Sequence, residues 1–171
     1  MLRIRQFLAK NQVPFATLDL EQEPAVKTLF ERLGVTEAET PIVALGRDRV
    51  FRNPSNAELA AALGIRQPLE RKVYDLVVVG AGPAGLAAAV YGASEGLDTL
   101  VLERTGPGGQ AGSSMRIENY LGFPTGITGG ELAERATVQA AKFGACIPVA
   151  VTVVRLSFDS RYAVLEDDAG E

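Results

Sequence analysis

The sequence contains no histidine and no tryptophan, and its only cysteine is Cys146. The His and Cys clusters that hold zinc therefore cannot be built, and neither can an internal disulfide. Cys146 stands in an apolar setting before a predicted strand, which favours a buried structural thiol over a reactive nucleophile. We therefore expect no metal site, and a reducing cytoplasm fits the cysteine usage.

The chain also lacks an unbroken apolar run of membrane-spanning length and a strongly basic region. Residues 76–93 are uncharged, but glycines and a proline interrupt them where a strand would turn into a helix. The first ten residues carry three basic side chains among apolar ones, unlike a secretory signal. Residues 1–72 hold 11 basic and 9 acidic side chains (net +2), residues 73–171 hold 6 and 12 (net −6), and the sum is −4. We expect neither a membrane nor a nucleic-acid partner.

A glycine motif follows the apolar, β-branched run Leu76–Val79, which is typical of a strand buried in a parallel sheet. Three glycines have the spacing Gly-x-Gly-x-x-Gly, which suits a tight turn, the close approach of a pyrophosphate, and close packing of helix on strand. Pro83 suits the first turn of the helix that follows, whose amides and dipole then face an anion. The predicted cofactor-binding residues of this turn are Gly80, Gly82, Pro83, Ala84 and Gly85.

An acidic residue lies at the distance that a dinucleotide site requires. A second strand, Thr99–Leu102, delivers Glu103 to its carboxyl end, 18 residues after Gly85. A carboxylate there can accept hydrogen bonds from the ribose of an adenosine. Arg104 follows it and is either a solvated loop residue or a contact to a ribose 2′-phosphate. The joint context favours dinucleotide binding over a purely structural turn.

The first 66 residues predict a small α/β lobe with the order helix, strand, helix, hairpin, helix. The last helix has a capping box, Ser55 with Glu58, and Gly64 at its end. The predicted elements are a helix over residues 1–11, a strand Val13–Leu18, a helix opened by Glu23-Pro24 and closed by Gly34, strands Ile42–Leu45 and Arg49–Arg52 around Gly46-Arg47-Asp48, and a helix Ala57–Leu63.

This order resembles a thioredoxin or glutaredoxin fold without its first strand. The Thr40-Pro41 step before an apolar strand resembles the cis-proline step of that fold, and the sequence leaves open whether Pro41 is cis or an ordinary trans turn residue. A redox site needs a thiolate, and residues 1–72 contain no cysteine. We therefore expect this lobe to serve packing or docking.

The chain divides at a polar, proline-containing segment. We expect a thioredoxin-like domain over 1–66, a linker over 67–73, and a second domain over 74–171.

After Glu103 come eight glycines within 25 residues, which predict a long functional loop. A second capping box, two strands and a turn follow. After that turn we expect the chain to stop in mid-domain. These predictions are Thr128 with Glu131 opening a helix to about Phe143, strands Ile147–Leu156 and Tyr162–Leu165, and a turn over Asp167–Gly170.

Residues 74–171 resemble the beginning of the FAD domain of thioredoxin reductase-like pyridine nucleotide-disulfide oxidoreductases. The glycine turn resembles the FAD fingerprint of that family, and Glu103 its ribose carboxylate. Gly108-Gly-Gln-Ala resembles a loop whose backbone and glutamine lie along the flavin side of the cofactor. Ile117-Glu-Asn-Tyr120 resembles a segment whose asparagine contacts the flavin region, although Tyr120-Leu-Gly122 stands where the family often has Trp-Pro-Gly.

The resemblance implies an α/β fold with an incomplete Rossmann-like FAD-binding domain, in which helices flank a parallel sheet and a β-meander follows. FAD is the implied cofactor, preferred over NAD or NADP, with NADPH as the expected electron donor. The implied contacts beyond the glycine turn are Glu103, Arg104, Gly109, Gln110, Asn119 and Val151, the last lying with Ala150 at the strand position whose backbone meets the adenine. The implied reaction passes a hydride from NADPH to FAD and then reduces a disulfide or related acceptor.

No catalytic side chain is implied in this part of such an enzyme, and we expect the polypeptide alone to lack turnover. The implied partner is a disulfide-bearing protein or another electron acceptor, with a homodimer expected for the full-length protein. Two alternatives stay open at this stage: a noncatalytic interaction module with an empty nucleotide site, and an NAD(P)-binding dehydrogenase domain. The sequence does not identify the acceptor, the assembly, a redox Cys pair or any continuation past Glu171.

Overall fold

The computed structural model describes residues 1–20, 23, 25–46, 48–70 and 73–169. Five α-helices and six β-strands are described there, with two short 3₁₀ helices at Glu37–Glu39 and Ala111–Ser113. In chain order they are α1 (Leu2–Lys10), α2 (Ala25–Leu33), β1 (Ile42–Leu45), β2 (Arg49–Arg52), α3 (Asn56–Leu63), β3 (Leu76–Val79), α4 (Pro83–Ser94), β4 (Thr99–Leu102), α5 (Gly129–Lys142), β5 (Val153–Phe158) and β6 (Ala163–Asp167).

The N-terminal lobe is built around α1 and α3. Phe7 and Leu59 are fully or almost fully buried between them. The predicted capping box of α3 is present: the Glu58 amide donates to the Ser55 hydroxyl at 3.1 Å, and the Ser55 amide donates to the Glu58 carboxylate at 2.7 Å. Gly64 ends α3 in the left-handed conformation with φ +70°. Strands β1 and β2 form the predicted antiparallel hairpin.

The strand predicted at Val13–Leu18 is wrong, because residues 13–19 form no strand. The Val13 amide donates to the Leu8 carbonyl at 2.9 Å, so it ends α1 instead of pairing with a neighbouring strand. Among the described residues, β1 and β2 form a two-stranded sheet, and residues 13–18 pair with neither strand. The Thr40–Pro41 bond is cis. Pro24 and Arg47, which we placed at a helix start and a turn, lie outside the described residues.

The C-terminal region begins with the predicted parallel pair. Strands β3 and β4 are in register with Leu76 beside Thr99, and α4 crosses between them. At Gly92 a Cβ atom would collide with the end of the Leu76 side chain, which would have to shift to make room. The backbone at Cys146 and Val149 extends the sheet by parallel bridges to Leu100 and Glu103.

The strand predicted at Ile147–Leu156 is shorter in the structure, since β5 begins at Val153. Pro148 has no amide hydrogen, and Ala150 has φ +61°, a conformation that no strand uses. The backbone therefore turns at Ala150, leaves the parallel sheet, and forms the antiparallel pair β5–β6. The last predicted strand corresponds to β6, and Gly170 of the predicted turn lies outside the described residues.

Helix α5 begins at Gly129 with Thr128 as its N-cap, as predicted, but only half of the second capping box forms. The Thr128 hydroxyl accepts from the Glu131 amide at 3.2 Å. The Glu131 carboxylate instead contacts Arg135 one turn later at 2.6 Å, and this ion pair draws it away from the Thr128 backbone. Among the described helices, none is both long and apolar enough to cross a membrane.

The two regions share a buried cluster. Ala150 from the turn before β5 packs with Ile4, Phe7 and Leu8 of α1. The backbone of Ala150 thus leaves the sheet at the point where the lobe rests against it. The division into domains 1–66 and 74–171 with a linker between them stays a prediction.

Candidate functional site: the glycine turn and the cleft beside it

The glycine turn joins β3 to α4 with the geometry that each glycine suggests. Gly80 has φ +99°, and its amide donates to the Leu102 carbonyl at 2.8 Å, which ties the turn to β4. At Gly85 a Cβ atom would run into the Gly80 carbonyl oxygen and the Val78 side chain. The third glycine therefore allows the helix to pack directly on the strand.

The N-terminus of α4 forms an uncapped cradle. Its N-cap is Gly82, which has no side chain to accept a hydrogen bond, and Pro83 occupies the first turn without an amide hydrogen. Ala84 is exposed. A Cβ atom at Gly82 would meet only the Gly109 Cα atom, at 3.9 Å, so space remains beside the backbone. Uncapped amides at the positive end of a helix dipole suit a phosphate group.

Glu103 is the buried acidic side chain next to this turn, with 8% of its surface exposed. One carboxylate oxygen accepts from the Ala81 amide at 2.8 Å. The other accepts from the Thr105 amide at 2.8 Å and the Gly106 amide at 3.1 Å. A carboxylate has about four acceptor positions, so three backbone bonds leave room for about one more donor, such as a ribose hydroxyl.

The loop after β4 returns to the glycine turn. The Gly108 amide donates to the Ala81 carbonyl at 2.8 Å, and a Cβ atom at Gly109 would lie 2.9 Å from the Gly82 Cα atom. Gly109 is thus packed on the N-cap of α4. Arg104 and Gln110 are exposed on the same loop.

Two predicted contact residues lie elsewhere. Asn119 is exposed on a loop that is closed by paired hydrogen bonds between Ile117 and Ile127, of 2.7 and 3.0 Å. Val151 is 4% exposed and packs against Leu100 and Leu102, and its amide donates to the Glu103 carbonyl at 3.1 Å. Their roles toward a cofactor stay predictions.

A cavity of about 940 Å³ lies between the loop after β4, the start of α5 and the end of α1. It brings together four predicted residues, Glu103, Arg104, Gly109 and Gln110. Its volume is in the range of sites for small molecules and cofactors. Among the described residues, no cluster of three or more acidic, Cys or His side chains could hold a metal ion.

The cavity also has a wall that sequence reasoning missed. Lys10 and Asn11 at the end of α1 line it, although they are about a hundred residues away from the loop they meet. A basic residue in the last turn of a helix is common and gives no sign of such a contact. The contact follows from the packing of the lobe on Ala150, which has no local sequence signal.

Comparison with known proteins agrees with the geometry. Residues 74–171 match the family model described as pyridine nucleotide-disulphide oxidoreductase. Thioredoxin reductase of Bacillus subtilis (strain 168) is 49% identical over 76 residues, which are 44% of this chain and 24% of that protein. A 34.2 kDa protein in the rubredoxin operon of Clostridium pasteurianum is 41% identical over 100 residues, covering 57% and 32% of the two chains.

Solved structures give the same result for the fold. The atypical thioredoxin reductase TRi from Desulfovibrio vulgaris Hildenborough superposes with a TM-score of 0.51 at 39% identity, over 57% of this chain and 32% of that one. Lactococcus lactis thioredoxin reductase superposes with a TM-score of 0.53 at 34% identity, over 56% and 31%. These neighbours confirm the predicted α/β, Rossmann-like fold class. The chain spans about a quarter to a third of the length of the relatives it matches.

Proposed function

The chain belongs to the pyridine nucleotide-disulphide oxidoreductase family, and from that premise we propose that residues 74–171 bind FAD as the flavin-binding part of a thioredoxin reductase-like oxidoreductase. The observation that carries the proposal is the position of the Glu103 carboxylate, 2.8 Å from the Ala81 amide inside the glycine turn. A single ligand with a ribose next to a pyrophosphate can therefore contact the Glu103 carboxylate and the glycine turn together.

The proposed contacts combine the glycine turn with the four predicted residues that line the cavity, Glu103, Arg104, Gly109 and Gln110. The turn of Gly80, Gly82, Pro83, Ala84 and Gly85 holds the pyrophosphate, because it combines open space with uncapped amides. Glu103 accepts from the ribose, and Arg104 beside it faces the same cavity. Gly109 and Gln110 lie toward the flavin, and Asn119 and the Val151 backbone are assigned to the flavin and adenine ends by family resemblance.

When bound, FAD would supply the redox chemistry, which is hydride transfer from NADPH followed by two-electron reduction of an acceptor. The part of this chain is to bind and orient the cofactor, and we propose no catalytic side chain within it. Because many relatives are named thioredoxin reductase, the proposed acceptor is a protein disulfide. A homodimer and a cytoplasmic location complete the proposal.

A flavin absorption spectrum tests the cofactor. The full chain is mixed with FAD, dialysed and examined for protein-bound flavin, and separate titrations with NAD⁺ and NADP⁺ serve as the comparison. Retained flavin with its spectrum perturbed by the protein is the expected result. A colourless protein that binds NAD⁺ or NADP⁺ would replace the proposal with a nicotinamide-binding domain, and one that binds none of the three would favour an interaction module.

Replacing Glu103 tests the ribose contact. We expect Glu103→Ala to weaken FAD binding by about 1.5–3 kcal/mol, the scale of hydrogen bonds to a charged group, or roughly 10- to 150-fold in the dissociation constant. The matched control is Glu134→Ala, which removes an exposed acid from the wall of the same cavity. Fluorescence titration with FAD measures both variants. Equal affinities for the two variants would contradict the ribose assignment.

A further inference from the structure

The end of α1 is attached to the loop that borders the cofactor cleft. The Lys10 ammonium donates to the Gly109 carbonyl at 2.8 Å, and the Asn11 amide nitrogen donates to the Thr105 carbonyl at 2.8 Å. The same Asn11 nitrogen lies 2.8 Å from the Phe7 carbonyl, so it joins the last turn of the helix to the loop. Both Lys10 and Asn11 are partly buried by this contact.

The loop is shaped to receive this helix end. A Cβ atom at Gly106 would lie 2.8 Å from the Lys10 Cβ atom and 2.9 Å from the Asn11 side-chain nitrogen. These distances are too short for any side chain at position 106, so a glycine is needed for the two backbones to approach. Behind the contact, Ala150 is buried against Phe7. Hydrogen bonds, a missing side chain and apolar packing therefore fix the helix end at the same place.

Lys10 places a positive charge on the loop residue that packs against the N-cap of α4. Gly109, whose carbonyl accepts from Lys10, also packs on Gly82 at the N-cap of α4. An ammonium group has three donors, and the carbonyl bond uses one of them. The buried acid of the cavity, Glu103, has its oxygens bonded to three backbone amides. The other acid that lines the cavity, Glu134, is exposed on α5, so the remaining donors of Lys10 can be offered to an anion bound in the cavity.

We propose that the N-terminal lobe is part of the cofactor site, and that Lys10 binds the phosphate-bridged portion of the dinucleotide. The inference rests on the proposed function, because it needs a phosphate-bearing ligand in this cleft. It adds a residue from outside residues 74–171, the range that the family model matches. The lobe then does more than pack: it closes one wall of the cleft and adds the charge of Lys10 to that of Arg104, which lines the same cavity.

Substitutions of Lys10 test this with ligands that differ only in phosphate. We expect Lys10→Gln to weaken FAD binding about tenfold, the lower end of the range for a charge-assisted hydrogen bond, and Lys10→Arg to restore most of it. Arg5→Gln is the matched control, because it removes one positive charge from the exposed side of the same helix. Titrations with ADP and with adenosine follow for each variant, and binding is also measured at low and high salt.

The expected pattern is a loss of ADP and FAD affinity in Lys10→Gln with unchanged adenosine affinity and a weaker salt dependence. An equal loss for adenosine and ADP would overturn the phosphate contact, because it would show that Lys10 only holds the lobe in place. Unchanged FAD affinity in Lys10→Gln would overturn it as well. Wild-type protein that binds no FAD would instead refute the proposed function, so the two failures are distinguishable.

Discussion

The glycines of the N-terminal lobe and those of the C-terminal region are present for different reasons. Gly34 and Gly64 have φ of +62° and +70°, and a Cβ atom at either would meet no described atom within 4 Å. Gly85 and Gly129 have ordinary φ values, but a Cβ atom at either would run into backbone. The lobe therefore uses glycine for a backbone conformation at helix ends. The C-terminal region also uses it where two backbones must touch, and those contacts build the site.

Acidic side chains show a similar difference. In the lobe, Glu39 and Glu58 are at the surface, where each accepts a backbone hydrogen bond at the start of a helix. These bonds lower the pKa of both carboxyls, the backbone donors being Thr36 for Glu39 and Ser55 for Glu58. Glu103 uses the same chemistry in a buried position, where its three amides belong to two separate loops. The kind of hydrogen bond that caps the start of a helix at the surface thus joins two loops of the site in the interior.

The largest effect is expected where the C-terminal region has no space. Gly85→Ala places a methyl group against the Gly80 carbonyl, so we expect a loss of about 1–3 kcal/mol of unfolding free energy, the usual cost of overpacking, together with loss of FAD binding. Gly130→Ala is the control, because a Cβ atom there makes an ordinary contact of 3.8 Å. Urea unfolding measures both. Equal stability of the two variants would contradict the close-packing role of Gly85.

A smaller effect is expected where the lobe needs only a backbone conformation. Gly64→Ala puts an alanine in the left-handed region, at a cost of about 1 kcal/mol. Asparagine tolerates that region better, so Gly64→Asn is expected to lose less stability than Gly64→Ala. At Gly85 the order is expected to reverse, because asparagine is larger than alanine. Urea unfolding midpoints of the alanine and asparagine variants at Gly64 and Gly85 measure this. The same order of stability at both positions would contradict the distinction between the two kinds of glycine.

The smallest effect concerns the capping box at the surface. Because the pKa of Glu58 is lowered in the folded protein, its contribution to stability is present above the unfolded pKa and is lost as the pH falls through the folded pKa. Glu58→Gln is therefore expected to lose less stability than the wild type between about pH 7 and about pH 3. Helix content in urea, followed by circular dichroism, measures this. Glu31→Gln on α2 provides the baseline, and a pH dependence identical to wild type in Glu58→Gln would count against the cap.

The best-predicted elements are those with several agreeing signals. Strands Leu76–Val79 and Thr99–Leu102 have the predicted bounds. Each is an apolar run with a clear end, at Gly80 in the first case and at Glu103 in the second. Helix α3 begins only one residue before the predicted start. Its bounds were predictable because Ser55 caps its start and Gly64 its end. The glycine turn and Glu103 meet as their spacing implies.

The failures have physical causes. Val13–Leu18 has the composition of a strand, but strands require a partner, and the partner is a property of the whole fold. The strand after Cys146 is interrupted at Ala150, whose φ of +61° lies outside strand geometry, shortly after Pro148, which has no amide hydrogen to donate. The contact between Lys10 and Gly109 joins residues 99 positions apart and depends on how the lobe packs, so local patterns could not predict it.

Gly106 limits which residues can replace it at the contact between the two regions. It lies where the two regions meet, with its missing side chain facing Lys10 and Asn11. A single methyl group at this position would push the end of α1 away from the loop and would also strain the packing of α1 on Ala150. The missing side chain at position 106 therefore sets how closely the N-terminal lobe and the C-terminal region can approach each other. A related chain with a bulkier residue here would have to hold any preceding module at a different angle, or leave that wall of the cleft open to solvent.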